Sequence, residues 1–292
     1  MKATLIGFSA VLMWSLMAVL TVKSGRVPPF QLAAMCFLIA TILGLVALAA
    51  APSAVRNLRQ PLYIWCIGVG GLFGYHLFYF TALRNAPAAE ASLISYLWPL
   101  MMVVGSALLL GERLGWHHIA GALAGLGGTV LMVAKNGLSF SDSFIFGYGA
   151  ALCAAFTWCA YSLLSRRFGE VPTDAITGFC AVTAILLFIC HLALEQTIWP
   201  HTAGQWLAIA GLGLLPVGAA FYAWDFGVKH GDIRILGAAS YTAPLLSTLI
   251  LIASGVSQAD WRIALSCALI TGGAVLAAKD QLFVRSYQDK SQ

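Results

Sequence analysis

The chain has 292 residues, of which 60% are hydrophobic and only 9% charged, and its mean hydropathy is +0.87. A soluble domain is nearer half apolar and a quarter charged, so a water-soluble fold of this length lacks the polar surface to cover itself, and the bilayer is the expected solvent. The formal net charge of +5 is scattered through short loops rather than gathered in a patch, which excludes nucleic acid as an expected partner and points to membrane orientation.

Taken in order, ten apolar runs of about 20 residues are long enough to span a bilayer. They are 5–22, 30–50, 62–83, 91–110, 116–134, 146–165, 175–194, 206–228, 235–254 and 261–278. The first follows Met1-Lys2 with no small-x-small cleavage site behind it, so it reads as a spanning helix rather than a removed signal peptide. Short loops marked by Pro28-Pro29, Pro52, Pro61, Pro87, Pro172 and Pro200 separate the runs. The longest connection, 135–145, is polar. The seven cysteines all lie in apolar runs without a CxxC pair, which reads as small buried hydrophobes; no metal or cofactor is expected.

One stretch occurs twice. Ser95-Tyr96-Leu97-Trp98-Pro99-Leu100 returns as Ser240-Tyr241-Thr242-Ala243-Pro244-Leu245, with Ser, Tyr, Pro and Leu in the same places 145 residues on. At the same offset Trp116 meets Trp261, Gly127-Gly128 meets Gly272-Gly273, and Val130-Leu131 meets Val275-Leu276. Trp14 meets Trp158 and Gly74 meets Gly218 at an offset of 144. The expected organisation is therefore two five-helix copies, 1–136 and 146–280, with a linker at 137–145 and a tail at 281–292.

The loops on the side of both termini hold eleven of the 16 basic residues, among them Arg56, Arg59, Arg113, Arg166, Arg167 and Arg234, which predicts cytoplasmic termini. Five is odd, so a second copy that starts outside runs inverted to the first. The predicted fold class is an all-α polytopic membrane protein with ten transmembrane helices in two inverted five-helix repeats. Such pairs carry a substrate site near the midplane where the halves meet.

These features resemble a known family. The ten spans, the duplication, the Ser-Tyr-x-x-Pro-Leu element in spans four and nine, Gly111-Glu112 after span four and Trp116 at the start of span five are similar to the drug/metabolite transporter superfamily, EamA type. The resemblance covers about residues 4–280. Within it, the run Gly-Tyr-His-Leu-Phe-Tyr-Phe-Thr-Ala-Leu at 74–83, with Tyr96 and Trp98, resembles exporters of aromatic amino acids. Gly111-Glu112 would be echoed at Val256-Ser257, which lacks both residues, so the loops after spans four and nine need share no role. The resemblance implies an inner-membrane exporter of amino acids, aromatic and others, and of related metabolites or organic cations. It also implies that spans five and ten form a scaffold while the other eight surround a central cavity.

Candidate residues are polar or aromatic groups at depth. Tyr75, His76 and Tyr79 bring hydrogen-bonding groups to one broad face of span three, which suits a cavity; an interfacial aromatic belt is the other reading. His76 either bonds substrate or relays a proton, or is a neutral ring satisfied by a neighbouring helix. Tyr96 and Trp98 lie about 200° apart on a helix and cannot share one line. Pro99, Pro244 and Pro216 are candidate hinges that free backbone carbonyls, or static kinks. Ser95 and Ser240 bond a carboxylate or their own helix. Trp14 and Trp158, at equivalent mid-span points, are read as cavity walls that stack on cargo, and Tyr241 joins the list as the echo of Tyr96. Asp225 is expected to pair with Lys229 one turn on.

No carboxylate is evident at mid-depth, which favours a neutral, zwitterionic cargo and facilitated exchange over obligate proton antiport. Uncharged aromatic walls predict broad amino-acid specificity. The alternative is a multidrug or organic-cation exporter, for example of methyl viologen, or a transporter of another small metabolite. An intramembrane enzyme is not expected, because His-Glu-x-x-His, Gly-x-Ser-x-Gly and Gly-x-Gly-Asp are all missing. The glycine steps in spans five and ten are read as internal packing, hence a monomer partnered by lipid and a small-molecule substrate.

Overall fold

The computed structural model describes residues 1–134, 138, 140–255 and 261–279. The tail at 281–292, part of the linker and Val256-Ser257 lie outside the described residues. All regular structure among the described residues is helical, as the composition requires. Nine helices or helix pairs are long and apolar enough to cross a bilayer, and a tenth, Trp261–Ala277, is apolar but shorter.

Several spans are broken, and the breaks have local causes. The first consists of α1 (Lys2–Trp14) and α2 (Met17–Lys23). At their junction the Ser15 hydroxyl donates to the Leu12 carbonyl at 2.6 Å, a bond that competes with the helix ladder. After α3 (Pro29–Ala50) and α4 (Leu62–Asn85), the fourth span divides into α5 (Ala88–Ser95) and α6 (Trp98–Leu110). α7 (Trp116–Val133), α8 (Ile145–Arg167) and α9 (Ala175–Leu194) are continuous. The eighth span is α10 (Ala203–Leu214), a π turn over Leu215–Ala219, and α11 (Ala220–His230); the ninth is α12 (Ile233–Ala239) and α13 (Thr242–Ala253); α14 is Trp261–Ala277.

The candidate hinges refine in one respect: the breaks at Tyr96-Leu97 and Ser240-Tyr241 fall a turn before Pro99 and Pro244, not at them. Each proline lacks the N–H that would bond the carbonyl four residues back, and its ring collides with that carbonyl. Those carbonyls belong to Ser95 and Ser240. The helix therefore ends there and a new one starts with the proline in its first turn. At Pro216 the chain keeps its helical course by taking the wider π spacing.

The helices pack in a pattern that survives exchange of the first five spans with the last five. α1 packs on α11 and α4 on α8, so the first span meets the eighth and the third meets the sixth. α3 packs on α9 and α7 on α14, pairs that map onto themselves. Small residues permit the closest approaches. Gly7 and Gly227 bring α1 and α11 together, and Gly121 and Gly273 face each other's carbonyls across α7 and α14, where any Cβ would collide. Large apolar side chains such as Leu108, Leu207 and Ile185 point outward, as a lipid-facing surface demands.

Candidate functional site

The breaks in the first and fourth spans put tryptophan at both ends of the gap: Trp14 closes α1 and Trp98 opens α6. Trp158 projects from α8 and Trp224 from α11. All four indoles touch one another. Trp14 lies 6.4, 5.6 and 5.0 Å from Trp98, Trp158 and Trp224. Trp98 is 6.3 Å from Trp158 and 5.6 Å from Trp224, and the last pair is 6.3 Å apart. Most of these contacts are edge-to-face, the arrangement the ring quadrupole prefers.

Beside this cluster α4 presents its polar face. The Tyr75 ring lies 5.4 Å from Trp158 and stacks parallel to Tyr79 at 5.8 Å. Tyr79 shares a hydrogen bond with Ser92 of α5 at 3.2 Å, and Tyr96 is within electrostatic reach of both Tyr75 and Tyr79. His76 is packed edge-on against Phe37 at 5.0 Å, with Phe80 and Phe221 at 5.9 and 6.4 Å. Its Nδ1 meets the Leu72 carbonyl at 2.7 Å. A carbonyl only accepts, so Nδ1 donates and Nε2 of the uncharged ring is an acceptor.

Seven of the ten candidate residues thus come together: Trp14, Tyr75, His76, Tyr79, Tyr96, Trp98 and Trp158. Three do not. Ser95 is buried and donates to the Ala151 carbonyl of α8 at 3.4 Å, and Ser240 donates to Leu236 of its own helix at 2.7 Å. Tyr241 is wholly buried in a separate apolar cluster with Val103, Ala122, Leu245 and Ile270, its ring against Gly125 of α7. The reason is steric: glycine at 125 leaves a hollow that the tyrosine ring fills.

Sequence reasoning missed Trp224, Phe221 and Phe37. Trp224 has no tryptophan partner at the repeat offset, so the search for echoes passed over it. A three-residue helical step from Phe221 was the available signal. Asp225, next in the chain, faces away: it pairs with Lys229 at 2.7 Å and accepts from Thr173 at 2.7 Å, both members of the pair being buried. Among the described residues no group of metal-ligating side chains occurs.

The two ends of the bundle are tied differently. At the Met1 end, Arg166 donates to the carbonyls of Val228, Lys229 and Gly231 and, at 2.9 Å, to Glu112. These carbonyls end α11 and have no partner within the helix, so the guanidinium both satisfies them and complements the helix dipole. Beside it a cavity of about 220 Å³ opens among Thr4, Glu112, Arg166, His230 and Asp232. Burial pushes the Asp232 carboxyl up, but the hydrogen bonds and charge of Arg234 and two backbone N–H groups outweigh it and leave it below its ordinary value. At the opposite end, Glu195 accepts from the Phe30 and Gln31 N–H groups in the first turn of α3, from Arg84 and from His191.

The chain matches the model of the EamA-like transporter family over residues 1–134 and again over 145–278. It is 50% identical over 278 residues to the aromatic amino acid exporter YddG of Ancylobacter novellus, covering 94% of this chain and 96% of that one. The protein of the same description from Escherichia coli strain K12 is 26% identical over 294 residues, with 94% and 96% covered. A probable terminal-alkyne amino-acid exporter of Streptantibioticus cattleyicolor is 26% identical over 211 residues, 70% and 69% of the two chains. A solved crystal structure superposes with a TM-score of 0.92 at 49% identity, covering 98% of each chain.

Proposed function

Because this chain belongs to the EamA-like transporter family, a multi-pass membrane transporter of small molecules and not an enzyme, we propose that it exports amino acids of broad specificity across the inner membrane. The single observation that carries this reading is the uncharged aromatic cluster of Trp14, Trp98, Trp158 and Trp224, with Tyr75, His76, Tyr79 and Tyr96 beside it. Indole faces bury an apolar or aromatic side chain, and neutral polar groups receive a zwitterion that carries its own compensating charges. Walls of this kind grip by area rather than by charge, so they discriminate weakly among side chains. Nothing in the chamber needs a coupling ion, which fits facilitated exchange.

Alternating access is the proposed mechanism. Residues 1–136 and 146–280 act as two inverted copies, with both termini cytoplasmic. The packing that survives exchange of the two sets of spans supports this organisation, as do the separate family matches. α6 packs on α12 at the Met1 end, where the carbonyl of Pro99 lies against Gly237. On the other side of the breaks α5 packs on α8, which α6 also meets, and α13 packs on α2 and on α14, which α12 also meets. The broken helices are where the two halves bend as the other state forms.

Counterflow into proteoliposomes preloaded with one amino acid tests the cargo. Several amino acids, aromatic ones among them, are expected to exchange well above protein-free vesicles. If none does, the substrate class is wrong. The same indoles would also hold an organic cation by cation–π attraction, which is the competing reading. Resistance to quaternary ammonium compounds in cells that express the chain, without amino-acid exchange, would favour that reading.

A further inference from the structure

The four indole N–H groups are not equivalent. Trp14 Nε1 donates to the Pro216 carbonyl at 3.0 Å, a carbonyl presented by the π turn of the eighth span. Trp224 Nε1 donates to the Ser162 hydroxyl at 3.1 Å, and that hydroxyl bonds the Trp158 carbonyl at 2.9 Å. Both rings are therefore held by the protein itself. Neither Trp98 nor Trp158 has a hydrogen-bond partner for its Nε1 among the described residues, and neither atom is fully enclosed. An indole N–H that has no protein partner and is not fully enclosed is available to donate to a ligand that reaches it.

The other polar groups beside the cluster differ in kind. His76 Nε2 and the hydroxyls of Tyr75 and Tyr79 come from α4 and that of Tyr96 from the break before α6, whereas Trp98 opens α6 and Trp158 sits on α8. The tyrosine hydroxyls both donate and accept, but an indole N–H only donates, so of these groups the two unpartnered indoles are fitted to an anion alone. We infer that Trp98 and Trp158 are the carboxylate-recognition pair of the amino-acid site, each giving one indole N–H to the cargo carboxylate, while Trp14 and Trp224 are structural rings. The ammonium then faces α4, where His76 Nε2 and the tyrosine oxygens accept from it. Trp98 and Trp158 pack edge to face with centroids 6.3 Å apart, so the two donors belong to neighbouring rings. This assignment rests on the proposed amino-acid cargo and says which atoms select it.

The test is a ratio, so it does not depend on how much of each variant folds. Phenylalanine and phenylalaninol, which lacks only the carboxylate, compete against counterflow of labelled phenylalanine in proteoliposomes. The unmodified chain should prefer phenylalanine by at least about tenfold, the discrimination expected of hydrogen bonds to a charged group. Trp98→Phe and Trp158→Phe keep an aromatic ring but remove one donor each, and each should reduce that preference several-fold. Trp14→Phe and Trp224→Phe should weaken both competitors alike and leave the ratio within about twofold. The inference fails if Trp98→Phe and Trp158→Phe retain the full preference, or if Trp14→Phe and Trp224→Phe abolish it. It also fails if the unmodified chain exchanges phenylalanine without preferring it to phenylalaninol. Vesicles that exchange no amino acid at all would instead overturn the proposed function, and this assignment with it.

Discussion

The stretches Ser95 to Leu100 and Ser240 to Leu245 share a pattern and a helix break, yet do opposite work. In the first, Trp98 joins the indole cluster, Tyr96 lies near Tyr79, and Ser95 crosses to α8. In the second, Tyr241 is sunk into the α7 interface, Ser240 bonds its own helix, and the tryptophan is replaced by Ala243. Gly125 explains the difference. At the repeat offset its counterpart is Ile270, which is itself fully buried, so the other copy offers no matching hollow for Tyr96. The backbone break is kept in both stretches while their side chains go to different neighbours.

The largest expected effect sharpens that division. Tyr241→Ala empties a packed site and should destabilise the protein by about 3–5 kcal/mol in a thermal melt in detergent. Tyr96→Ala should cost well under half of that, because Tyr96 is only partly buried, yet it should slow counterflow more per folded molecule. Equal melts for the two would break the comparison.

The breaks come next. Pro99→Ala and Pro244→Ala each restore an N–H that can reach the serine carbonyl and rejoin the helix, a local gain of up to about 3 kcal/mol for the straight form. Both variants should fold and exchange more slowly, Pro99→Ala the more so because its break places Trp98. Unchanged exchange in both would remove the breaks from the mechanism.

A smaller contrast lies where the two helix pairs begin. α5 follows Pro87 with no side-chain cap, whereas α12 is capped by Asp232, which accepts from the Arg234 and Ile235 N–H groups. Asp232→Ala should therefore cost about 1 kcal/mol near neutral pH. The folded carboxyl lies below its ordinary 3.8, so this contribution is complete above that pH and is lost as pH falls through the folded value. Melts of the unmodified chain and of Asp232→Ala should converge in strong acid; a gap that persists there would mean the cap acts without its charge.

The smallest effect concerns the serines. Ser95→Ala gives up a bond between helices worth about 0.6 kcal/mol in membranes, while Ser240→Ala loses only a bond to its own turn and should be close to neutral. Their difference, read as the shift in melting temperature, should favour Ser240→Ala; the reverse order would argue that Ser240 has an unrecognised partner.

Much was legible in the chain. The apolar runs announced the spans because a bilayer accepts only long apolar helices with satisfied backbones. The prolines marked two of the breaks to within a turn, and the mid-span Trp14 and Trp158 with Tyr75, His76 and Tyr79 were picked out as polar or aromatic groups too deep to be incidental. The break at Ser15 was not legible, since a serine hydroxyl bonded to its own helix bends some helices and leaves others straight. Nor was Trp224, which has no echo to draw notice, or Arg166, whose four acceptors come from segments more than fifty residues away.

By itself, then, the sequence determined the solvent, the number of crossings, the repeat and the inventory of aromatic groups, because each depends on composition or spacing along one chain. Only the tertiary structure decided which of two matching tyrosines is sunk into a helix interface and which indole N–H groups are tethered. Those outcomes depend on what a neighbouring helix places opposite each ring, a glycine hollow at 125 or a filled position at 270, a carbonyl from a π turn or no acceptor. Periodicity along a helix shows which side chains share a face, but not what that face will meet.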